Sequence, residues 1–323
     1  MLRRVFFLIS FFIAAAGCAS IITELPEVQP SDLTTERAAQ SVTAAKQQQK
    51  HLKRLADVAG PIMTANAELC PRTRPYYGLS THSEKSYSEH IRPALKSELD
   101  IAHSHIILHV VTDSPADKAG IMVGDIILNE DGQTIDAQTL RKRPVPDHGR
   151  QAVKLLRGAE KIDVTIETLP SCDYALNLRH SSVVNAIANG RAITVTTGMM
   201  DFTNDNELAA ILGHELAHNT LGHIRKITTN YIVSLGATRF SRPFESEADY
   251  VGVYYAARAG YDVENVGEIW RRIGAKSPRS VGREKTHPST PDRYLRLKAT
   301  FEEIEAKRAA DKPLIPNFKD SAP

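Results

Sequence analysis

Residues Asn204–Ile227 read NDNELAAILGHELAHNTLGHIRKI, and this stretch predicts an amphipathic helix. Asn204, with Glu207 three residues later, matches a capping box at the start of that helix. Apolar side chains then recur at helical spacing, at Leu208, Ile211, Leu212 and Leu216. One face of the helix is therefore expected to pack in a core.

The same helix carries His214, Glu215 and His218 in an HExxH arrangement. A spacing of four residues places both imidazoles on one face, one turn apart, which suits two ligands of a tetrahedral zinc ion. Glu215 adjoins the first histidine in sequence, so its carboxylate can reach an attacking water as a general base. A bare HExxH is only suggestive, because a buried helix with hydrogen-bonded histidines would show the same pattern.

A third ligand is available in Arg242–Val251, which reads RPFESEADYV. Glu245 and Asp249 are one helical turn apart, so Glu245 can complete the metal site while Asp249 hydrogen-bonds the other nitrogen of a ligand histidine. Glu247 is expected to face solvent. The sequence thus predicts one zinc ion per chain, held by His214, His218 and Glu245.

The competing metzincin pattern, HExxHxxGxxH, does not fit this helix. It would require glycine at Leu221 and histidine at Ile224, whereas Gly222 and His223 are each displaced by one residue. His223 is therefore expected to lie off the ligand face, either supporting a ligand or packing.

Upstream of this helix the chain changes character twice. Thr35–Ala67 is rich in Ala, Gln, Lys and Leu and predicts a helix, which Pro71–Pro75 ends. From Tyr76 to Leu169 short strands and turns follow, including SPADKAGIMVGDIILNEDGQTI at Ser114–Ile135. This block resembles a PDZ domain of the bacterial protease type, which implies binding of extended peptides by strand addition. A role as a mere spacer remains open, and Tyr77-Gly78-Leu79 is only a weak candidate for the carboxylate-binding loop.

Cys70 and Cys172 flank that block closely. In an exported protein a pair of cysteines outside any CxxC motif is more often bridged than free. We expect a disulfide between them that closes the neck of an inserted domain.

The N-terminal residues Met1–Ser20 (MLRRVFFLISFFIAAAGCAS) have the pattern of an export signal. Ala15-Ala16-Gly17-Cys18 resembles a bacterial lipobox, so Cys18 is the expected lipidation site. A plain signal peptide cut near Ala19 and an uncleaved anchor are the alternatives. No Asp follows Cys18, which by resemblance to Gram-negative lipoproteins favours the periplasmic side of the outer membrane.

The net charge of +2 arises from 40 Lys+Arg against 38 Asp+Glu. Loss of a signal containing Arg3 and Arg4 lowers the basic count from 40 to 38, equal to the acidic count. This balance gives no support for nucleic-acid binding.

Beyond the ligand motifs, three further segments carry a family resemblance. Asn185–Met200 (NAIANGRAITVTTGMM) looks like a strand beside the metal helix, and His287-Pro288 with Arg293 matches an HPxxxxR motif. With Asp249–Ile273 and its AGYD turn, these segments resemble peptidase family M48, the gluzincins that include the CAAX prenyl proteases. The resemblance implies that Ala186–Thr197 holds substrate as an added strand. It also implies that His287 lies near the zinc, as an oxyanion stabiliser or as a fourth ligand in a resting state.

These observations predict an α+β fold: a mainly helical HExxH protease domain with a small sheet, plus an inserted β-rich PDZ-like domain. We expect an envelope zinc endopeptidase acting on protein or peptide substrates, with an assembly factor or chaperone as the alternative. The oligomeric state is not indicated. The expected segments are a signal peptide (1–17), a lipidated tether (18–35), an N-terminal helical part of the protease domain (36–70), the PDZ-like domain (72–170), the metalloprotease domain (172–300) and a C-terminal tail (301–323).

Overall fold

The structure, a computed structural model, describes residues 23–99, 101, 105–136, 139, 149–233, 241–282 and 287–319. The predicted signal peptide and Cys18 lie outside the described residues. Within them no helix is long and apolar enough to cross a membrane. The helices are α1 (Pro30–Ala65), α2 (Arg92–Leu99), α3 (Pro115–Lys118), α4 (Thr197–Phe202), α5 (Asp205–Thr220), α6 (His223–Val233), α7 (Arg242–Arg258), α8 (Glu268–Lys276), α9 (Arg279–Gly282) and α10 (Thr290–Ala309). The strands are β1 (Thr73–Tyr76), β2 (Leu79–His82), β3 (Ile106–Val110), β4 (Ile126–Leu128), β5 (Gly149–Arg157), β6 (Glu160–Cys172), β7 (Ala175–Arg179), β8 (Ala186–Ala188) and β9 (Ala192–Thr196).

The predicted α+β class is confirmed. A mainly helical body surrounds α5 and α7 and carries a three-stranded sheet of order β7-β9-β8. In that sheet β7 runs parallel to β9, whereas β8 runs antiparallel to it. The body therefore combines helices with the small sheet that the sequence predicted.

The second half of α1 belongs to the core of this body. Its buried side chains pack with those of α5 and α7 in one apolar cluster, and include Leu55, Val58, Ala59, Ile62 and Met63. Asn66, just after α1, is fully buried; it donates to the carbonyl of Tyr255 (3.0 Å) and accepts from Nε of Arg258 (2.9 Å). A segment far from the metal helix in sequence is thus tied to α7.

The N-terminus of α1 differs from the prediction. The helix begins at Pro30, five residues before the expected start at Thr35. Proline is favoured in the first turn, where its missing N–H is not needed, and Asp32 there interacts well with the helix dipole. Part of the predicted tether is therefore helical.

A β-rich block (residues 73–172) follows α1. Its six strands form a sheet of order β1-β6-β5-β4-β3-β2, in which every described strand pair is antiparallel. The predicted hairpin turn at Arg157-Gly158-Ala159-Glu160 joins β5 to β6, with Gly158 at φ 60°. The block has an apolar cluster of its own, which includes Tyr77, Ile107, Ile127, Leu155 and Ile166.

The chain passes from the body into the block after Cys70 and returns to the body at Cys172, and these two passages lie side by side. The predicted pair Cys70 and Cys172 forms a disulfide in the structure, with 5.5 Å between the Cα atoms. Cys172 ends β6, pairs with Thr73 of β1, and is fully buried in the apolar cluster of the body. The long strand β6 therefore belongs to the block at one end and to the body at the other.

Candidate metal centre

The metal helix α5 starts with the predicted capping box. The side chain of Asn204 accepts a hydrogen bond from the backbone N–H of Glu207 (2.9 Å), and the backbone N–H of Asn204 donates to Oε2 of Glu207 (3.0 Å). These bonds satisfy two of the backbone N–H groups left open at a helix start. The start of α5 is thereby fixed about three turns before the first histidine.

Helices α5 and α7 cross at two glycines, Gly213 and Gly252. A Cβ atom at Gly213 would overlap the carbonyl oxygen of Gly252, and one at Gly252 would overlap the backbone nitrogen of His214. The two backbones therefore approach more closely than any larger residue allows. This close contact brings Glu245 of α7 to the histidines of α5.

His214, His218 and Glu245 converge on one point. The Nε2 atoms of the two histidines lie 3.1 Å apart. Oε2 of Glu245 lies 3.5 Å from Nε2 of His214 and 3.6 Å from Nε2 of His218. All three side chains are buried. Oε2 of Glu245 makes no hydrogen bond to any residue that the structure describes. Buried polar atoms rarely lack a hydrogen-bond partner. Two imidazole nitrogens and a carboxylate oxygen are ligand atoms that zinc commonly binds.

Opposing effects act on the pKa of Glu245 and of His214. Burial alone would raise the pKa of the Glu245 carboxyl, but the imidazoles of His214 and His218 outweigh it and lower that pKa well below its usual range. Burial alone would lower the pKa of His214, but Asp249 and Glu245 raise it to about 9. The pocket thus stabilises a negative carboxylate and attracts a positive charge, which a proton or a metal ion can supply.

Asp249 orients His214 from behind. Its Oδ1 atom lies 2.8 Å from Nδ1 of His214, as the sequence predicted for one of the ligand histidines, and Arg293 binds both of its oxygens, with Nε 2.7 Å from Oδ2. The guanidinium of Arg293 stacks on the ring of Trp270 at 3.4 Å. Burial would raise the pKa of Asp249, but Arg293 and His214 lower it to about 2, so the carboxylate is ionised. It therefore accepts the Nδ1 proton of His214 and leaves Nε2 free for the metal position.

Glu215 lies beside the ligands and faces the sheet. Burial raises the pKa of its carboxyl above the ordinary glutamate value, and a hydrogen bond from the backbone of Ala188 opposes that shift. Ala188 belongs to β8, the outer strand of the small sheet. The predicted base is therefore held between the histidines and the edge of a strand.

The predicted single strand Ala186–Thr197 is wrong. The structure divides it into the hairpin β8–β9, with a turn at Asn189-Gly190-Arg191 and Gly190 at φ 86°. The backbone N–H of Gly190 donates to Oδ1 of Asn219 (2.6 Å), which ties the turn to the end of α5. Ile187 on β8 is 41% exposed, so the outer strand presents an apolar residue to solvent.

His287 also reaches the site. Its Nε2 atom lies 3.2 Å from Oε2 of Glu245, and its side chain is 54% exposed. It is the exposed imidazole near Glu245, since His214 and His218 are buried. The structure thus brings it close to the proposed ligands, as the family motif implied.

Glu247 and His223 contact each other, which the sequence did not predict. Glu247 is 48% exposed, but its Oε2 atom lies 2.9 Å from Nε2 of the fully buried His223. The other ring nitrogen of His223, Nδ1, lies 3.1 Å from Nδ1 of His218. Burial and the neighbouring His218 lower the pKa of His223 to about 4. Glu247 therefore faces solvent, as expected, and in addition contacts His223, which lies behind the candidate ligand His218.

Two histidines from an HExxH helix and a glutamate from a later helix form the arrangement of HExxH sites with an acidic third ligand. Residues 159–235 and 225–301 match the model of Peptidase family M48. Over that region, which is less than half of the chain, the sequence is similar to Peptidase family M48.

Named relatives agree with this assignment. The chain is 24% identical over 213 residues to the mitochondrial metalloendopeptidase OMA1 of Schizosaccharomyces pombe, covering 55% of this chain and 63% of that protein. It is 37% identical over 123 residues to the metalloprotease LoiP of Escherichia coli, covering 38% of this chain and 45% of that protein. The match thus spans less than two thirds of either relative.

A PDZ domain is among the solved structures to which the chain is similar. The match to the HtrA3 PDZ domain bound to a phage-derived ligand covers 31% of this chain and 89% of the PDZ chain. The identity is 22% and the TM-score is 0.24. At that TM-score the likeness carries no conclusion about this chain.

Proposed function

We propose that this protein is a zinc-dependent endopeptidase of the bacterial cell envelope, acting on misfolded or unassembled proteins. The observation that carries the proposal is the buried Oε2 atom of Glu245, which faces the Nε2 atoms of His214, His218 and His287 and makes no hydrogen bond to the described residues. The family match and the metalloprotease names of the relatives support the same chemistry. Attachment to the outer membrane through Cys18 is supported by the N-terminal sequence pattern alone.

In this proposal His214, His218 and Glu245 hold one zinc ion. The ion would act as a Lewis acid on the scissile carbonyl and on the attacking water. Glu215 takes the proton from that water and then passes it to the leaving amine.

The outer strand β8 is proposed to bind the substrate. An extended peptide can pair with a strand edge through its main chain, which requires no particular side chain. Ala188 of this strand contacts Glu215, so a peptide paired there would place its backbone beside the base. This geometry favours unfolded polypeptide over small molecules. The β-rich block is proposed to bind peptides as well, in the manner of a PDZ domain.

Replacing Glu215 with glutamine tests the proposal. Glu215→Gln keeps the shape of the side chain but cannot accept the proton, so casein cleavage should fall by about 10²–10⁴-fold. Zinc content, measured by atomic absorption, should stay at one ion per chain. Glu302→Gln, a change at an exposed glutamate of α10, is the matched control and should cleave normally. Unchanged cleavage by Glu215→Gln would contradict the proposed function, whereas lost cleavage with persisting envelope-assembly activity would favour the chaperone alternative.

Two roles fit His287, and one variant separates them. If His287 stabilises the oxyanion, His287→Ala should lower kcat by about 10²-fold, as loss of such a donor does elsewhere. If it occupies a metal position at rest, the same change should raise cleavage by the unstimulated protein. Steady-state kinetics on casein distinguish the two results by their sign.

A further inference from the structure

The two candidate ligand histidines are supported differently. Nδ1 of His214 contacts a carboxylate directly, that of Asp249. Nδ1 of His218 instead contacts Nδ1 of a third histidine, His223, at 3.1 Å. His223 in turn contacts the carboxylate of Glu247 through Nε2 at 2.9 Å. The carboxylate behind His218 is therefore one ring further away.

Facing nitrogens require a defined proton arrangement. Two ring nitrogens 3.1 Å apart can share one proton, so one of them donates and the other accepts. For Nε2 of a neutral His218 to bind a metal, its proton must be on Nδ1. Nδ1 of His223 must then be the acceptor, and the proton of His223 must be on Nε2.

Glu247 selects that arrangement. A carboxylate can only accept hydrogen bonds, so it favours the form of His223 in which Nε2 carries the proton. The opposite form of neutral His223 would turn a lone pair toward Glu247 and a proton toward His218. Nδ1 of His218 would then have to accept that proton, so the proton of His218 would be on Nε2, and Nε2 could not bind the metal. Glu247 thus fixes the proton position on two rings in succession.

We propose that His223 and Glu247 are positioning residues, which hold His218 in the form that binds the metal through Nε2. The proposal rests on the proposed zinc site of His214, His218 and Glu245. Glu245, Glu247 and Asp249 all belong to the first turns of α7. One helix therefore supplies both the third ligand and the carboxylates that orient the two histidines.

Packing alone does not account for His223. Its ring is fully buried and contacts Phe244, with 5.1 Å between the ring centroids, so an apolar side chain could fill the same space. A leucine there would keep much of the packing but remove the acceptor for Nδ1 of His218. Zinc affinity, rather than stability, is the property that separates the two roles.

The test measures zinc affinity of the full chain by competition with a chromophoric chelator. His223→Leu and Glu247→Ala should each lower the affinity by about 10–100-fold, the usual effect of losing a partner behind a metal ligand. His223→Asn should lie closer to wild type, because its side-chain oxygen can accept the proton of His218. Glu302→Ala, at an exposed glutamate, is the control and should match wild type.

Nitrogen-15 spectra of the histidine side chains in the zinc-loaded protein give a second readout. We expect the proton of His218 on Nδ1 and that of His223 on Nε2. A proton on Nδ1 of His223, or wild-type zinc affinity in both His223→Leu and Glu247→Ala, would overturn the inference. If His223→Leu fails to fold, the zinc affinity of Glu247→Ala, a change at a half-exposed position, still tests the inference.

Failure of this inference differs from failure of the proposed function. A wild-type chain that binds no zinc would overturn both. Zinc binding with normal cleavage by Glu215→Gln would overturn the proposed function only, and the affinities of the variants would still support the positioning role.

Discussion

Glu207 connects the start of the metal helix to α8. It closes the capping box with Asn204, and both of its oxygens bind the guanidinium of Arg272, at 2.6 Å and 2.8 Å. Burial would raise the pKa of Glu207, but the hydrogen bonds from Arg272 and from the backbone of Asn204 outweigh it and lower that pKa. The ionised form therefore stabilises the fold.

Glu207→Gln tests this ion pair. The variant keeps a capping oxygen but loses the charge, so the free energy of unfolding at pH 7 should fall by about 1 kcal/mol, a modest figure because Arg272 is 42% exposed and solvent screens the pair. The pKa of Glu207 is lower in the folded protein than its ordinary value of 4.5. The charge therefore stabilises the fold fully above pH 4.5, and this stabilisation is lost as the pH falls through the pKa of Glu207 in the folded protein. Urea unfolding of both proteins at several pH values measures it. A difference that did not shrink on acidification would contradict the role of the charge.

The sequence predicted individual residues where a local spacing encodes them. His214, Glu215 and His218 follow from one helical turn, and Asn204 with Glu207 from one capping pattern. The contact of Glu247 with His223 joins residues that are 24 positions apart. This contact depends on how α6 packs against α7, and no pattern within a short stretch of sequence indicates it.

At the scale of elements, the hairpin β8–β9 differs from the single strand that the family resemblance implied. Asn189-Gly190, between two short apolar stretches, is a typical turn sequence. The structure has the turn there, with Gly190 at φ 86°, so a local signal for the hairpin is present in the sequence. The edge next to Glu215 is consequently β8 rather than one long strand.

The crossing of α5 and α7 determines whether the three ligands can meet. Gly252→Ala would place a methyl group against the backbone of His214 and force the helices apart. We expect a loss of about 1–3 kcal/mol in the free energy of unfolding, together with weaker zinc binding, because Glu245 moves with α7. Gly282→Ala, where an added methyl group meets open space, is the control. Calorimetry and chelator competition check both effects, and a stable variant with wild-type zinc affinity would show that the close approach is not needed.

At the scale of the whole molecule, β6 joins the two largest apolar cores of the described residues. One core lies inside the β-rich block and the other in the helical body. The chain leaves the body after Cys70 and returns at Cys172, so the disulfide closes the block where both crossings lie. The sequence predicted this closure from the placement of two cysteines, but not the shared strand, because β6 extends beyond the hairpin that its turn residues mark.

The disulfide should stabilise the whole chain through its unfolded state. The bridged residues are 102 positions apart, and closing a loop of that size removes much of the freedom of the unfolded chain. Reduction should therefore lower the free energy of unfolding by about 2–5 kcal/mol.

Reduced wild type is the better comparison, because Cys172 is fully buried and Cys172→Ala would also remove packing. Urea unfolding with and without reductant measures the difference, and Cys70→Ala should reproduce the reduced protein, since its partner stays in place. An unfolding midpoint that did not move on reduction would contradict the stabilisation through the unfolded state.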